Sequence, residues 1–489
     1  MDTFTHYQAK DRPDKGGRQP QVRQAHTGPA DEFHQVGKER GMIRVHFSSV
    51  LLFFVCLQTN NLTPTRSFFY SSFISFVSQS GERLLINGRR LWQSLMVMAE
   101  IGATAKGGCR RLALSDEDKA ARDLLRQWCQ EAGCTVTVDE MGNMFARRLG
   151  RDNNRPPVGT GSHLDTQPHG GKFDGVFGVL AALEVVRTLN EAGVETAVPL
   201  EIVNWTNEEG ARFAPGMLAS GVFGGVFDLE YALSRVDLAG KSVGRELARI
   251  GYAGSVPCGD HAFTAFFETH IEQGPILERE QKQVGVVTAV QGFRWYDVTI
   301  TGQDAHAGST PMNGRRDALL GAAQFIQAVN ELALAYAPDG RGTVGQFQVS
   351  PNSRNTIPGR VDLTIDMRHP ETAVLSAMDE AVYAIGVRIE TEMGVAVQVE
   401  LVSYSPPVVF DEGCISAVQT ACQSLGIPYQ RMISGAGHDA CYISRIAPTS
   451  MIFVPCAGGI SHNEAESAWP EDLAAGANVL LQAILGYAG

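Results

Sequence analysis

The chain is poor in the features that hold a protein to nucleic acid or in a membrane. It has fewer basic than acidic residues, 41 Lys and Arg against 53 Asp and Glu, and its net charge is −12. A polyanionic partner is therefore excluded, and an anionic substrate would need a local cation, because the overall field repels it. The strongest apolar run of the N-terminal part, Val50 to Leu57, is eight residues long. A bilayer helix needs about 20, and this run lies too deep in the chain for an ordinary signal peptide. No membrane association is expected. The nine cysteines include no CxxC pair, and an odd number gives no tidy disulfide framework. Cys129 and Cys134 have no matching second pair for a zinc site, so all are read as reduced thiols of a cytoplasmic protein.

What remains is ordinary globular material, 44% apolar and 19% charged. At 489 residues the chain is too long for one ordinary core, and two domains are expected. Residues 1–84 stand apart: ten Lys and Arg against seven Asp and Glu give +3, leaving −15 for the rest. Their first half is polar and their second half Ser/Phe-rich, as in SFFYSSFISFVSQS, with no coherent core pattern. They are expected to be a disordered or spurious extension.

Regular patterning starts near Leu85. Helices are predicted over residues 86–104 and over Ser115 to Ala132, where Ser115 is the N-cap. Short strands follow at Cys134 to Val138 and Met144 to Ala146, and then strand and helix alternate. That alternation describes an α/β sheet covered by helices. Between residues 291 and 403 the pattern changes to Trp295–Thr301 as a strand, Asp317–Tyr336 as a helix, and strands at Gly345–Val349 and Arg360–Arg368. The helix is assigned an apolar stripe of Leu320, Ala323, Ile326 and Leu332. In the last strand Val361, Leu363, Ile365 and Met367 alternate with polar residues, so one face packs on helices and one stays open. The expected organisation is an α/β domain in two parts, 85–290 and 404–489, with a smaller α+β domain, 291–403, inserted.

Four apolar runs carry the chemistry. PPVGTGSHLDT ends in His163, LEIVNWTNEEG in Glu208 and Glu209, AFFETHIEQG in His270, and SMIFVPCAGGISHN in His462; Asp174 follows in GGKFDGVFG. In open α/β sheets, sites form at the carboxyl ends of strands, so distant segments can meet there. A lone loop histidine is usually structural; several, each ending an apolar run beside carboxylates, form a ligand set for two divalent metals. Of the adjacent pair, one glutamate suits a ligand and the other a base that activates water. Asp165, two residues after His163, can accept the second imidazole N–H and orient that ring.

These segments, together with GQDAHAGSTPM, RNTIPG, DMRHP and SGAGHDA, closely resemble the metal-dependent amidohydrolases of the M20 peptidase superfamily. The nearest branch contains β-ureidopropionase and N-carbamoyl-L-amino acid hydrolase, with allantoate amidohydrolase a close relative. The resemblance runs from about Leu85 to the C-terminus with no ligand missing. It implies helices on a mixed sheet plus an inserted lid that also dimerises. It further implies two divalent ions per subunit, held by His163, Asp174, Glu209, His270 and His462, with Asp174 bridging. Zn²⁺ is favoured, although Mn²⁺, Co²⁺ and Ni²⁺ suit the same donors. Glu208 would be the general base. Gln273, His306, Asn355, Arg368 and the backbone of Gly437 would bind a small anionic substrate, with His306 stabilising the oxyanion. Arg368 offers a planar fork for a carboxylate, set against the competing reading of an ion pair with Asp366 or Asp362. The implied reaction is hydrolysis of the ureido C–N bond of an N-carbamoyl amino acid. Allantoate hydrolysis, or an aminoacylase or peptidase activity, is the alternative.

Overall fold

The structure is a computed structural model, and it describes residues 83–489. The expectation of a disordered extension over residues 1–84 lies almost wholly outside the described residues. Its strands are β1 (Thr135–Val138), β2 (Met144–Arg148), β3 (Val158–His163), β4 (Leu200–Trp205), β5 (Ala265–Ile271), β6 (Val284–Val290) and β7 (Gly292–Thr301). They continue as β8 (Ala305–His306), β9 (Arg341–Ser350), β10 (Thr356–Ile357), β11 (Arg360–His369), β12 (Ala396–Ser405), β13 (Val408–Val409), β14 (Tyr429–Ser434) and β15 (Thr449–Val454).

Nine of these form one mixed sheet in the order β1-β2-β4-β3-β5-β15-β6-β13, with β14 beside β6. Its centre is parallel: β3 runs with β4 and β5, and β5 runs with β15. Every residue of β3, β4, β5 and β15 is buried. Strands covered on both faces read as continuous apolar runs rather than alternating ones, which is how these segments appear in the sequence. The helix Val176–Glu191 is apolar on nearly every side because it lies between the sheet and the helices Gly88–Ala99 and Pro470–Ala488. Fully buried Phe267, edge-on to Tyr487 of the last helix, anchors this layer and contributes about 1.5–3 kcal/mol by leaving water. Ser115 caps Asp116–Glu131 as its position predicts, accepting from the N–H of Asp118.

A second, four-stranded antiparallel sheet has the order β12-β7-β11-β9, and β8 pairs with β10 as a small ribbon. Its own apolar cluster includes Tyr296, Val298, Val361, Leu363, Ile365 and Met367 on the sheet with Phe325, Val329, Met378 and Val382 on two helices. The alternation read in β11 is observed residue for residue. The stripe assigned to the helix Ala318–Ala335 is not. Its buried face is Ala318, Gly321, Ala322, Phe325, Val329 and Ala333, whereas Leu320 is 47% exposed and Ala323 is exposed. Apolar residues occur all round this helix, so periodicity alone does not select a face. The small residues win because they let it approach the sheet closely. By length and composition it is the one described helix that could cross a membrane; here that face packs on β7, β9 and β11.

Candidate metal centre

Because β4, β3, β5 and β15 are parallel, their carboxyl ends lie along one edge of the sheet. His163 is the last residue of β3, opposite Trp205 of β4, and Glu208 and Glu209 follow three and four residues after that strand ends. His270 of β5 lies opposite Phe453 of β15, whose following loop carries His462. Asp174 sits in the connection from β3 to the helix Val176–Glu191. The next residue must be glycine. Gly175 has φ +66°, and a Cβ there would lie 2.4 Å from the His163 imidazole.

Two groups of ligand-type side chains converge, each with donor atoms within 4.8 Å of one another: His163, Asp174 and His270, and Asp174, Glu209 and His462. Asp174 belongs to both. Its Oδ1 is 3.0 Å from His270 Nε2 and 3.8 Å from His163 Nε2. Its Oδ2 is 3.4 Å from His462 Nε2, which in turn is 3.3 Å from Glu209 Oε2. Glu208 faces the first group, with Oε2 3.5 Å from His163 Nε2. Gln273 donates to Asp174 Oδ2 at 3.0 Å while its own buried Oε1 has no partner. All seven of these side chains therefore meet.

The hydrogen bonds orient the rings as ligands. His163 Nδ1 lies 2.9 Å from the carbonyl of Asp165, and His270 Nδ1 lies 2.8 Å from that of Ile271. A ring that donates through Nδ1 to a carbonyl presents an Nε2 lone pair, the arrangement metal-binding histidines need. The Asp165 carboxylate does something other than expected. Its oxygens accept the backbone N–H groups of Glu208 and Glu209, both at 3.3 Å, so it shapes the Glu-Glu turn while its backbone orients His163. Gln167 holds Glu209 through its backbone N–H at 3.1 Å and its amide at 2.8 Å. Asn207, Gln273 and His462 all adopt left-handed backbone, with φ of 59°, 57° and 53°. Such strain costs roughly 1–3 kcal/mol per residue and gathers at functional sites.

The electrostatics fit a divalent cation. Asp174, Glu208 and Glu209 are buried together, and none forms an ion pair with a Lys or Arg among the described residues. Burial, then the charge of Asp439, pushes Glu208 far above the usual carboxylate range; burial and Asp174 do the same to Glu209. Burial lowers His163 to about 4. Burial also disfavours charge on His270, but the Asp174 carboxylate overcomes it and raises the ring to about 9. Asp174 itself is held below the carboxylate range, burial notwithstanding, by its hydrogen bond to His270. The N–H of Gly175, 3.1 Å from His270 Nε2, requires the lone pair of a neutral ring. The proton is thus what the metal-free charge balance favours, and the built geometry is that of a ligand. Binding a cation would displace that proton.

Four supporting residues were not singled out from the sequence, although they lie in or beside its motifs. Glu466 accepts from the N–H groups of Phe173 and Asp174 at 3.0 and 3.2 Å and from Ser461 at 3.1 Å. Glu268 bridges Ser162 and the N–H of Ala440. Asp439 accepts from Ser220, and the His438 ring packs edge-on against His270 with centroids 4.5 Å apart. The signal for each is its place in those segments: Glu268 two residues before His270 in AFFETHIEQG, His438 and Asp439 in SGAGHDA, and Glu466 four residues after His462.

The residues from the second sheet are placed less simply. Arg368 turns its fork onto Asp366, with contacts of 2.7 to 3.1 Å, and donates Nη1 to the carbonyl of Gly435 at 2.8 Å. The competing reading, an ion pair with Asp366, is thus the observed geometry, and it leaves the arginine joined to the loop that carries Gly437. His306 and Asn355 lie together, since β8 pairs with β10 and the N–H of Ala307 donates to the Asn355 carbonyl. His306 Nδ1 accepts from the N–H groups of Gly308 and Ser309, both at 3.1 Å, so Nε2 carries the hydrogen and points outward as a donor. Among the described residues no hydrogen bond or ion pair joins His306 or Asn355 to the histidine–carboxylate cluster.

A mixed-sheet α/β fold with a shared carboxylate between two histidine-bearing groups is the architecture of a hydrolase whose site suits divalent cations. The model of peptidase family M20/M25/M40 matches residues 159–486, and the chain belongs to that family. It is 51% identical over 405 residues to the N-carbamoyl-L-amino-acid amidohydrolase of Rhizobium meliloti, covering 83% of this chain and 97% of that protein. A hydantoinase/carbamoylase family amidase from Burkholderia multivorans is 60% identical, with a TM-score of 0.82 over 83% of this chain and 98% of the other. A ureidoglycolate hydrolase of Oryza sativa subsp. japonica is 36% identical over 76% of this chain and 79% of its own.

Proposed function

We propose that the protein hydrolyses the ureido C–N bond of N-carbamoyl-L-amino acids, giving the free amino acid, carbon dioxide and ammonia. The observation that carries this reading is Asp174, shared between the two ligand groups with Glu208 at their side. Its chemical direction comes from the relatives named for N-carbamoyl amino acids. His163, Asp174 and His270 would hold one divalent cation, and Asp174, Glu209 and His462 a second; Zn²⁺, Mn²⁺, Co²⁺ and Ni²⁺ all suit these donors. When bound, the cations supply Lewis acidity, polarising the ureido carbonyl and acidifying water.

The chain's own groups do the rest. Glu208, pushed up by burial, takes the proton of the attacking water and returns it to the amino acid nitrogen as the C–N bond breaks. The carbamic acid released decomposes to carbon dioxide and ammonia. His306 donates Nε2–H to the developing oxyanion, and its outward-facing tautomer suits that task. Arg368 would exchange the Gly435 carbonyl for the substrate carboxylate, beside the Gly437 backbone, while Gln273 and Asn355 complete the polar contacts. His306 and Asn355 would reach a cluster by closure of the second sheet as a lid, either in their own subunit or across the dimer in the neighbouring one.

A homodimer through residues 291–403 fits the exposed apolar residues Leu319, Leu320 and Leu334 on one helix and Tyr383 and Val387 on the next. Eight unpaired cysteines among the described residues fit a reducing, cytoplasmic setting. The runner-up reading keeps the ureido group but changes the acid, as in ureidoglycolate or allantoate, and is favoured by the plant relative. Ammonia release from N-carbamoyl-L-methionine, N-carbamoyl-β-alanine and allantoate, measured side by side with metal-reconstituted protein, separates the two. Turnover of allantoate alone would overturn the first.

A further inference from the structure

The open face of the four-stranded sheet carries two adjacent aromatic rings, Trp295 exposed and Phe293 half-buried. Phe293 and Trp295, two residues apart on β7, stack with centroids 4.8 Å apart and planes 28° from parallel. Trp295 is 44% exposed. Antiparallel register puts Phe293 directly opposite Arg368 on β11, and Trp295 opposite Asp366. On the other side, Ser405 faces Phe293 and Ser403 faces Trp295. Small side chains there leave the rings open, whereas a bulky neighbour would bury them. The Arg368 guanidinium lies 5.7 Å from the centre of the Phe293 ring.

Directly opposed residues on one face of an antiparallel pair have Cβ atoms about 4.5–5.5 Å apart. A carboxylate on Arg368 therefore brings whatever else its α-carbon carries onto the Phe293–Trp295 pair. We infer that this pair is the side-chain subsite, and that it selects N-carbamoyl α-amino acids with apolar or aromatic side chains. The inference rests on the proposed reaction and on Arg368 holding the carboxylate. It deepens them by naming which acids are taken. N-carbamoyl-β-alanine and N-carbamoylglycine have no side chain to place on the rings and gain nothing from them. A methionine or phenylalanine side chain buries apolar area on an aromatic platform that is already assembled, so little ordering opposes it.

The test compares metal-loaded wild type with Trp295→Ser and Phe293→Leu. For each, kcat/KM is measured on N-carbamoyl-L-methionine, N-carbamoyl-L-phenylalanine and N-carbamoylglycine. Sedimentation velocity runs alongside. Wild type is expected to prefer the first two over N-carbamoylglycine by at least about tenfold. Trp295→Ser should cut that ratio by about tenfold or more, and Phe293→Leu less, since leucine keeps an apolar surface. A ratio that stays the same in Trp295→Ser, or equal loss on all three substrates, overturns the subsite while leaving the proposed reaction standing. So does a change in sedimentation with unaltered selectivity, which would mean that a second copy covers the rings. Wild type that releases ammonia from none of the three compounds overturns the proposed reaction and the subsite with it.

Discussion

Asp174 sets one carboxylate oxygen 3.0 Å from His270 Nε2 and the other 3.4 Å from His462 Nε2, and so links β5 to the loop after β15. Replacing it with asparagine keeps the size but removes the charge both groups share. Asp174→Asn should bind less than one equivalent of divalent cation and lose at least about 1,000-fold in kcat/KM. Metal content after gel filtration is the first readout. A variant that retained two tightly held equivalents would contradict the bridging role.

Glu208 and Glu209 adjoin in sequence, yet only Glu209 lies within 4.8 Å of a second group's donors, while Glu208 stays beside His163. Glu208→Gln should therefore keep its metal and lose about 10²–10⁴-fold in kcat, with a smaller change in KM. Glu209→Gln should lose metal as well as rate. Identical metal content in the two variants would show that the division of labour is wrong.

The metal-free protein should lose stability as pH rises. Burial, with Asp118 near one and Asp174 near the other, pushes Asp165 and Glu466 each up to about 7. Glu208 and Glu209 are also raised. A carboxyl whose folded value exceeds its unfolded value, near 4 to 4.5, contributes stability that is complete below the unfolded value and lost as pH climbs through the folded one. His270, raised to about 9, adds to the loss above its unfolded value near 6.5, whereas His163, lowered to about 4, opposes it below that value. Divalent cations supply the charge that protons supplied. The gap in melting temperature between metal-loaded and chelated protein should thus widen between about pH 6.5 and 8, where no cited shift opposes it. A constant gap would contradict this balance.

Arg315 clasps the turn that presents His306, donating to the carbonyls of Ala307 at 2.8 Å and Thr310 at 2.7 Å without a carboxylate partner on the described residues. On the proposed role of His306, it is a positioning residue. Arg315→Met should lower kcat about tenfold or more with little change in KM, and Arg315→Lys should restore part of it. A variant affected only in melting temperature would assign Arg315 to stability alone.

Much of this was legible in the sequence because it depends on local rules. Ser115 as a cap, the period-2 alternation of Val361 to Met367, and ligand-type residues at the ends of apolar runs each follow from a few neighbouring residues. What escaped depends on packing. The helix Ala318–Ala335 is apolar all round, so close approach rather than periodicity chose Gly321 and Ala322 for its inner face. Asp165 lies near both the His163 ring and the Glu208–Glu209 turn, and only the fold shows that its carboxylate serves the turn. For Arg368 the sequence offers both a free fork and an ion pair with Asp366 or Asp362, and only the fold shows that Asp366 takes the fork. Glu268 and Asp439 support the centre from strands and loops 171 residues apart, a distance no local pattern spans.

The most direct test of the account is a titration of chelated protein with Zn²⁺, following ammonia release from N-carbamoyl-L-methionine at each step. Activity should rise to a plateau at two equivalents per chain, and Glu208→Gln should take up the same two equivalents without releasing ammonia. Full activity at one equivalent, or release that never depends on metal, would contradict a reaction run at a centre shared through Asp174.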